Sequence, residues 1–188
     1  ALALNQPLKG RNLYRALLFL PWALPTLTSV LAWRWMLGDV GGIVNYGLLQ
    51  LGLIDRPLGW LADPTLARFS VILVNVWRGA PFFGISILSA LQAIPDYLYE
   101  AALIDGASSW QAFRRITLPA IQNVVALVTL VSTIWTLADF EIIWIMTRGG
   151  PANATHVFST FSYLTAFRNL DLAKGVAISL FMVPFSLL

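Results

Sequence analysis

Stretches without a single charged side chain alternate along this chain with short segments where charges, glycines and prolines gather. Ala16–Trp33 carries no charge and is bracketed by Arg15 and Arg34. Ala67–Ile94 is interrupted only by Arg68 and Arg78, and Ile116–Ala138 again carries none. A last apolar run begins near Lys174 and continues to the C-terminus. A spanning helix needs about 20 predominantly apolar residues. The pattern therefore predicts an all-α, polytopic membrane helix bundle, one domain over 1–188, with spans at about 13–37, 67–94, 118–146 and 172–188. Pro21 and Pro25 fall in the first span, where neighbouring helices can satisfy the carbonyls that a proline frees.

The segments between spans read as turns and short helices. In "GDVGGIVNYGLLQLGLIDRPLGWLADPT", Gly, Pro and Asp mark turns and Ile43–Leu53 is expected to form a short interfacial helix. In "TRGGPANATHVFSTFSYLTAFRNLDLAKG", Gly149-Gly150-Pro151 stops the preceding helix and Thr155–Phe167 is expected to form another. Trp33, Trp35 and Trp60 fit an aromatic belt at one membrane surface.

Composition agrees with the pattern. Hydrophobic residues make up 58% of the chain and charged ones 11%, against about 25% charged in soluble domains. The net charge of +3 and the absence of a Lys/Arg-rich tract exclude a phosphate-tracking, nucleic-acid-binding surface. Without cysteine there is no disulfide or thiolate metal site. His156 is the sole histidine; it is expected to be a surface loop residue and builds no metal centre. Neither a G-x-S-x-G elbow nor a G-x-x-x-x-G-K-[ST] phosphate loop occurs, so no catalytic residue and no bound cofactor are expected.

The ends read as cuts. "ALALN" resembles the last turn of an apolar helix, without the basic-then-apolar order of a signal peptide. "GVAISLFMVPFSLL" is short for a span. The chain is expected to be a fragment, cut inside a helix at both ends.

One charged stretch separates the second and third spans. "YEAALIDGASSWQAFRRITLP" carries Glu100, Asp105, Arg114 and Arg115. Placing four ionised side chains near a bilayer centre at about 2.5–3.5 kcal/mol each would cost roughly 10–14 kcal/mol, so this loop, 96–119, must lie at or beyond the interface. Pro95, Asp96 and Glu100 suit a helix start. Gly106 suits the left-handed stop. Ser108 with Gln111 forms a capping-box pattern for a second helix, and Pro119 is expected where the chain turns into the next span. Leu98, Ala101, Ala102 and Asp105 share a face whose small residues permit close approach, as in a docking element; a plain solvated linker is the competing reading. Basic residues do not orient the chain: Lys9, Arg11, Arg15, Arg114 and Arg115 fall on one side, and Arg34, Arg56, Arg148, Arg168 and Lys174 on the other.

Polar residues inside the spans mark a candidate path. Asn75, Arg78 and Phe82 share a helix face, and intramembrane ionisable residues usually face a bundle interior or water. Thr129, Thr133, Thr136 and Asp139 recur at helical intervals and form a polar stripe, with Trp135, Phe140 and Trp144 nearby. The alternatives are that Arg78 pairs with an acid or carbonyl near Pro81 and that the threonines bond their own helix.

The charged loop resembles the "EAA" loop of importer permeases in the ATP-binding cassette family: E-A-A, three residues, G, nine residues, I, one residue, L-P. Here these are Glu100-Ala101-Ala102, Gly106, Ile116 and Leu118-Pro119, and every spacing fits. "TRGGPANATHVFSTFSYLTAF", with Gly149, Gly150, Pro151 and Thr155, resembles the external segment of the carbohydrate (maltose-type) branch, whose members are binding-protein-dependent transport inner membrane components of MetI-like fold. "KGRNLYRALLFLPWALPTLTSVLAWRWML" is similar to the first of that branch's two paired permeases.

The resemblance implies a cytoplasmic coupling helix–turn–helix that docks into an ATPase subunit. Glu100 would make polar contacts there, Ala101, Ala102 and Asp105 would form the approached face, and Gly106 would set the turn. Ile116, Leu118 and Pro119 would anchor the loop. It also implies a multi-pass subunit of a prokaryotic plasma membrane, normally with about six spans. Its partners would be a second homologous permease, two ATPase subunits that use ATP and Mg, an extracytoplasmic solute-binding protein and membrane lipid. The substrate class would be a sugar, polyol or glycerol phosphate, passing Asn75, Arg78, Thr133, Thr136 and Asp139. The alternative is a secondary transporter or channel subunit, which would place carboxylates or broken helices at the midplane.

Overall fold

A computed structural model describes residues 1–5 and 9–186. The described residues are all-helical. In chain order the helices are α1 (Leu2–Asn5), α2 (Arg11–Ala23), α3 (Thr26–Met36), α4 (Ile43–Gln50), α5 (Pro64–Gln92), α6 (Tyr97–Ile104), α7 (Ser109–Ala112), α8 (Leu118–Ala138), α9 (Glu141–Met146), α10 (Phe158–Tyr163), α11 (Leu172–Leu180) and α12 (Val183–Ser186). Wider π turns occupy Phe113–Thr117 and Leu164–Arg168. Residues 187 and 188 of the span expected over 172–188 lie outside the described residues, as do Gln6–Leu8.

Among the described residues, and apart from the bent pair Asn12–Ala23 and Thr26–Met36, which makes a third if it is one span, two helices are long and apolar enough to cross a membrane: Pro64–Gln92, of 29 residues, and the continuous Ser109–Ala138, of 30. At 1.5 Å per residue each reaches about 44–45 Å, more than a bilayer core of about 30 Å requires. Only 17% and 11% of their most apolar windows are buried within the chain, which leaves their faces to lipid or to other helices. The expected first span breaks at Leu24–Pro25 into α2 and α3. Pro25 lacks an N–H and disfavours helical geometry at the residue before it. The span expected over 118–146 is likewise broken: α8 ends at Ala138 and α9 starts anew at Glu141.

The chain divides into two compact units, Ala1–Ala23 with Gly79–Ser132, and Leu24–Arg78 with Thr133–Leu188. In the first, Leu91, Ile94 and Ile121 form the core, flanked by Ile87, Tyr99, Ile116 and Val125. Gly84 lets α2 approach α5, since a Cβ there would lie 2.6 Å from Leu18 Cδ2.

In the second unit, Val30, Leu37, Val74, Ile142 and Met146 form the core. Arg34 Nη1 donates to the Ile145 carbonyl at 3.0 Å, tying α3 to α9. Asn45, on α4, is buried and organises the following loop. Its Nδ2 donates to the Leu58 carbonyl (2.9 Å), while its Oδ1 accepts from Leu58 N–H (3.0 Å) and Trp60 Nε1–H (2.9 Å). Trp33 packs edge-on to Trp77, and both Trp33 and Trp60 pack against the core. Of the three tryptophans expected in a belt, only Trp35, 77% exposed, is free of the core. Where α11 meets the π turn after α10, a Cβ on Gly175 would sit 2.5 Å from Ala166 Cβ, and Ser162 Oγ donates to the Gly175 carbonyl at 2.7 Å.

Candidate docking module, polar path and outer loop

The charged loop folds as a helix, a stop and a capped helix. α6 ends at a left-handed Gly106 (φ +73°). Ala107 N–H bonds the Ala102 carbonyl at 2.9 Å and Gly106 N–H bonds the Leu103 carbonyl at 3.1 Å, a complete Schellman motif. Only a residue without a Cβ adopts this φ at no steric cost. Ser108 then caps α7: Gln111 N–H donates to Ser108 Oγ (3.3 Å) and Ser108 N–H to Gln111 Oε1 (2.8 Å). Asp96 precedes α6 but makes no side-chain cap.

Pro119 does not mark a turn. α7, the π turn and α8 run as one helix, Ser109–Ala138. Pro119 cannot donate to the carbonyl four residues back, and the wider π turn over Phe113–Thr117 lies where that bond is lost. Tyr99 Oη and Thr117 Oγ1, 2.8 Å apart, fasten α6 to this turn. A groove of about 460 Å³ runs between them, bordered by Glu100, Ala102, Leu103, Ala112 and Phe113. Glu100, Ala101, Asp105 and Gly106 are exposed, Ala102 and Ile116 are half-buried, and Leu118 and Pro119 are exposed. The outward apolar residues are a further feature: Leu103 is 75% exposed, Ile104 86% and Trp110 68%. Burying such side chains returns about 1.5–3 kcal/mol each, so a charged loop that displays them has the character of a contact surface. The E-A-A spacing pointed to the small face and did not mark these three.

In the second unit, Asn75 Nδ2 donates to Thr136 Oγ1 at 3.2 Å, joining α5 to α8. Arg78 Nη1 donates to Ser29 Oγ at 3.1 Å, and Ser29 in turn donates to the Thr26 carbonyl at 3.0 Å. The expected partner of Arg78 was an acid or a carbonyl; the hydroxyl of Ser29 takes that role, and nothing in the pattern of α3 singled it out. Asp139 does not continue the threonine stripe, because α8 ends one residue earlier; its Oδ1 accepts from Ile142 N–H at 3.1 Å in the first turn of α9. Thr133 is exposed. Thr129, in the other unit, bonds its own helix through the Val125 carbonyl at 2.7 Å, the ordinary fate of a helical threonine. Phe140 and Trp144 stack on one another at 5.2 Å and both meet Tyr163 edge-on.

The loop from Thr147 to Val157 closes on itself. Thr155 Oγ1 donates to the Gly150 carbonyl (2.8 Å) and lies 2.6 Å from Thr147 Oγ1, while Thr155 N–H bonds the Gly149 carbonyl at 3.2 Å. Gly149 adopts φ +86°, and the His156 ring rests where its Cβ would be. His156 is thus a packed residue rather than a free surface one: its Nδ1 is 3.1 Å from the buried Thr160 Oγ1, and burial pushes its pKa below the ordinary 6.5. These contacts delay the helix expected from Thr155, which starts at Phe158.

The whole chain, residues 1–188, matches the family model described as "Binding-protein-dependent transport system inner membrane component". The chain belongs to this family. Some of its relatives are named for sugar transport. The chain is 41% identical over 187 residues to a probable ABC transporter permease protein of Brucella suis biovar 1, covering 100% of this chain and 65% of that protein. It is 42% identical over 181 residues to the trehalose/maltose transport system permease protein MalF of Thermococcus litoralis, covering 96% of this chain and 60% of the relative. It therefore spans less than two thirds of these relatives. A solved bacterial ABC transporter involved in the import of the acidic polysaccharide alginate superposes with a TM-score of 0.86 at 27% identity, over 99% of this chain and 65% of that one. A solved bacterial alginate ABC transporter in complex with an alginate pentasaccharide-bound periplasmic protein gives 0.85 at 27%, over 99% and 66%. The fold class is accordingly that of an ABC importer permease, and family members are inner membrane components of transporters.

Proposed function

We propose that this chain is the membrane-spanning permease subunit of an ATP-driven importer in a prokaryotic plasma membrane. It carries a sugar, polyol or glycerol phosphate handed over by a solute-binding protein. The chain itself performs no catalysis; two ATPase subunits supply ATP hydrolysis, and a second homologous permease completes the pore. The observation that carries this reading is the module 96–119. Its backbone is held by a Schellman stop and a capping box, while Leu103, Ile104 and Trp110 point outward. Such a rigid, apolar, charge-flanked knob suits a cleft in a soluble partner. Glu100, Ala101, Ala102, Asp105, Gly106, Ile116, Leu118 and Pro119 form or anchor it.

Asn75, Arg78, Thr133, Thr136 and Asp139 line the substrate route in this reading. A guanidinium carries five N–H donors, and among the described residues Arg78 makes one side-chain hydrogen bond, with Ser29. Its other donors suit sugar hydroxyls or an anionic group. Gly149, Gly150, Pro151 and Thr155 shape the outer loop that faces the binding protein. The names of the maltose, trehalose and alginate relatives support the substrate class.

The test is uptake by the complete transporter reconstituted in proteoliposomes. Glu100→Ala or Gly106→Val abolishes ATP-coupled uptake while the paired permeases still assemble. Normal uptake in both variants sinks the coupling assignment.

A further inference from the structure

A concavity of about 450 Å³ opens beside the outer loop of the second unit, lined by Leu137, Asn153, His156, Val157, Phe158 and Phe161. Leu137 belongs to the last turn of α8, and Phe158 and Phe161 to α10. Neither the docking module nor the polar path uses these side chains. The volume falls within the roughly 300–1,000 Å³ of ligand pockets, which are mostly apolar with a few convergent polar groups.

The chemistry of the wall is specific. Two phenylalanines and two aliphatic residues offer apolar surface, and the Asn153 amide offers a donor and an acceptor. The state of His156 follows from Thr160. One hydroxyl there accepts from Val157 N–H at 3.1 Å, donates to the Val157 carbonyl at 3.1 Å, and lies 3.1 Å from His156 Nδ1. A hydroxyl has one proton. All three contacts are hydrogen bonds only if His156 Nδ1 carries the imidazole proton and donates. Burial disfavours the charged ring, and on the neutral ring Nε2 is then an acceptor.

None of the six lining residues carries a formal charge in this state. An anionic uronate or phosphate would find no counter-charge, and burying an unpaired charge is costly. A purely apolar occupant would give the Asn153 amide and His156 Nε2 nothing to bond. A sugar ring has both faces and edges to match: C–H surfaces for Phe158 and Phe161, hydroxyls for Asn153 and His156. We infer that this concavity is an outer subsite for one ring of a neutral saccharide or polyol. The inference rests on the transport reading and adds a second contact point for that substrate class, apart from the route past Arg78.

Maltose is the probe, with an alginate oligosaccharide as the charged comparator. Binding is measured by calorimetry on the complete transporter in lipid nanodiscs without the solute-binding protein. Asn153→Ala and Phe161→Ala each weaken a maltose-binding event about tenfold or more, the loss of one hydrogen-bonding or ring contact, and the alginate oligosaccharide does not compete. Equal maltose binding in both variants and the parent overturns the subsite. So does a result in which they weaken only association with the solute-binding protein, which would make the concavity a seat for a protein loop. Uptake assayed in parallel separates the two readings: a parent complex that binds maltose at this wall but imports no saccharide sinks the transport reading and keeps the subsite.

Discussion

The imidazole of His156 occupies the space in which a side chain on Gly149 would lie. Gly149 meets two demands at once, a left-handed φ of +86° and a covered α-carbon. Gly149→Ala should lower the thermal stability of the complex by about 1–3 kcal/mol, combining strain at positive φ with overpacking. Gly149→Ala combined with His156→Gly should recover the overpacking part only. Equal melting temperatures for the single and double variants would show that the ring does not press on Gly149.

The same histidine is expected to make its loop sensitive to acid. Burial disfavours its charged form and lowers its pKa in the folded chain relative to 6.5. The folded state then binds fewer protons than the unfolded state, so this contribution is fully present above pH 6.5 and is lost as pH falls below it. Thermal melts from pH 7.5 down to 5 should show a decline that His156→Gln flattens. A parallel decline in that variant would assign the effect elsewhere.

Gly106 offers a contrast between conformation and contact. No atom lies within 4 Å of a Cβ built there, yet φ is +73°. Gly106→Asn, which tolerates this region, should keep much of the uptake, whereas β-branched Gly106→Val should lose the Schellman stop at a cost of about 1–2 kcal/mol and uncouple ATP hydrolysis from transport. Matching ATPase and uptake rates in the two variants would contradict this.

Ser108 and Gln111 satisfy one another's backbone donors. Removing either should cost about 1 kcal/mol of local helix stability. The double replacement should cost less than the sum, since each half depends on the other. Hydrogen exchange at the α7 amides reads this directly.

Asn45 is expected to be the most sensitive buried polar residue. Asn45→Leu strands Leu58 N–H, the Leu58 carbonyl and the Trp60 indole N–H, each an unmet group worth about 1–3 kcal/mol. A destabilisation on the order of 3 kcal/mol and a red shift of Trp60 emission should follow. Unchanged melting would mean that water replaces the amide.

Local signals read well from the sequence. Gly106, Ser108 and Gln111 act within one helical turn of themselves, so their geometry follows from neighbours in the chain. Pro25 breaks the first span for an equally local reason, but the charge-free run read as one span over 13–37 and concealed it. The polar stripe did not extrapolate: its helical spacing continues through Asp139, but α8 ends at Ala138, Asp139 caps the next turn through Ile142, and Ser159 Oγ donates to the Asp139 carbonyl at 2.8 Å. That donor lies twenty positions away, and no periodicity contains it.

The sequence by itself determined that the chain is helical and membrane-embedded, because long charge-free runs can satisfy their backbone in lipid only by bonding within themselves. It also determined the stop and the cap of the charged loop. Only the tertiary structure decided that Arg78 meets Ser29, that Asn45 and Trp60 are one buried polar node, that His156 covers Gly149, and that Leu103, Ile104 and Trp110 face outward. Each of these depends on which distant surfaces meet and which stay uncovered, and burial is a property of the packed chain rather than of any window along it.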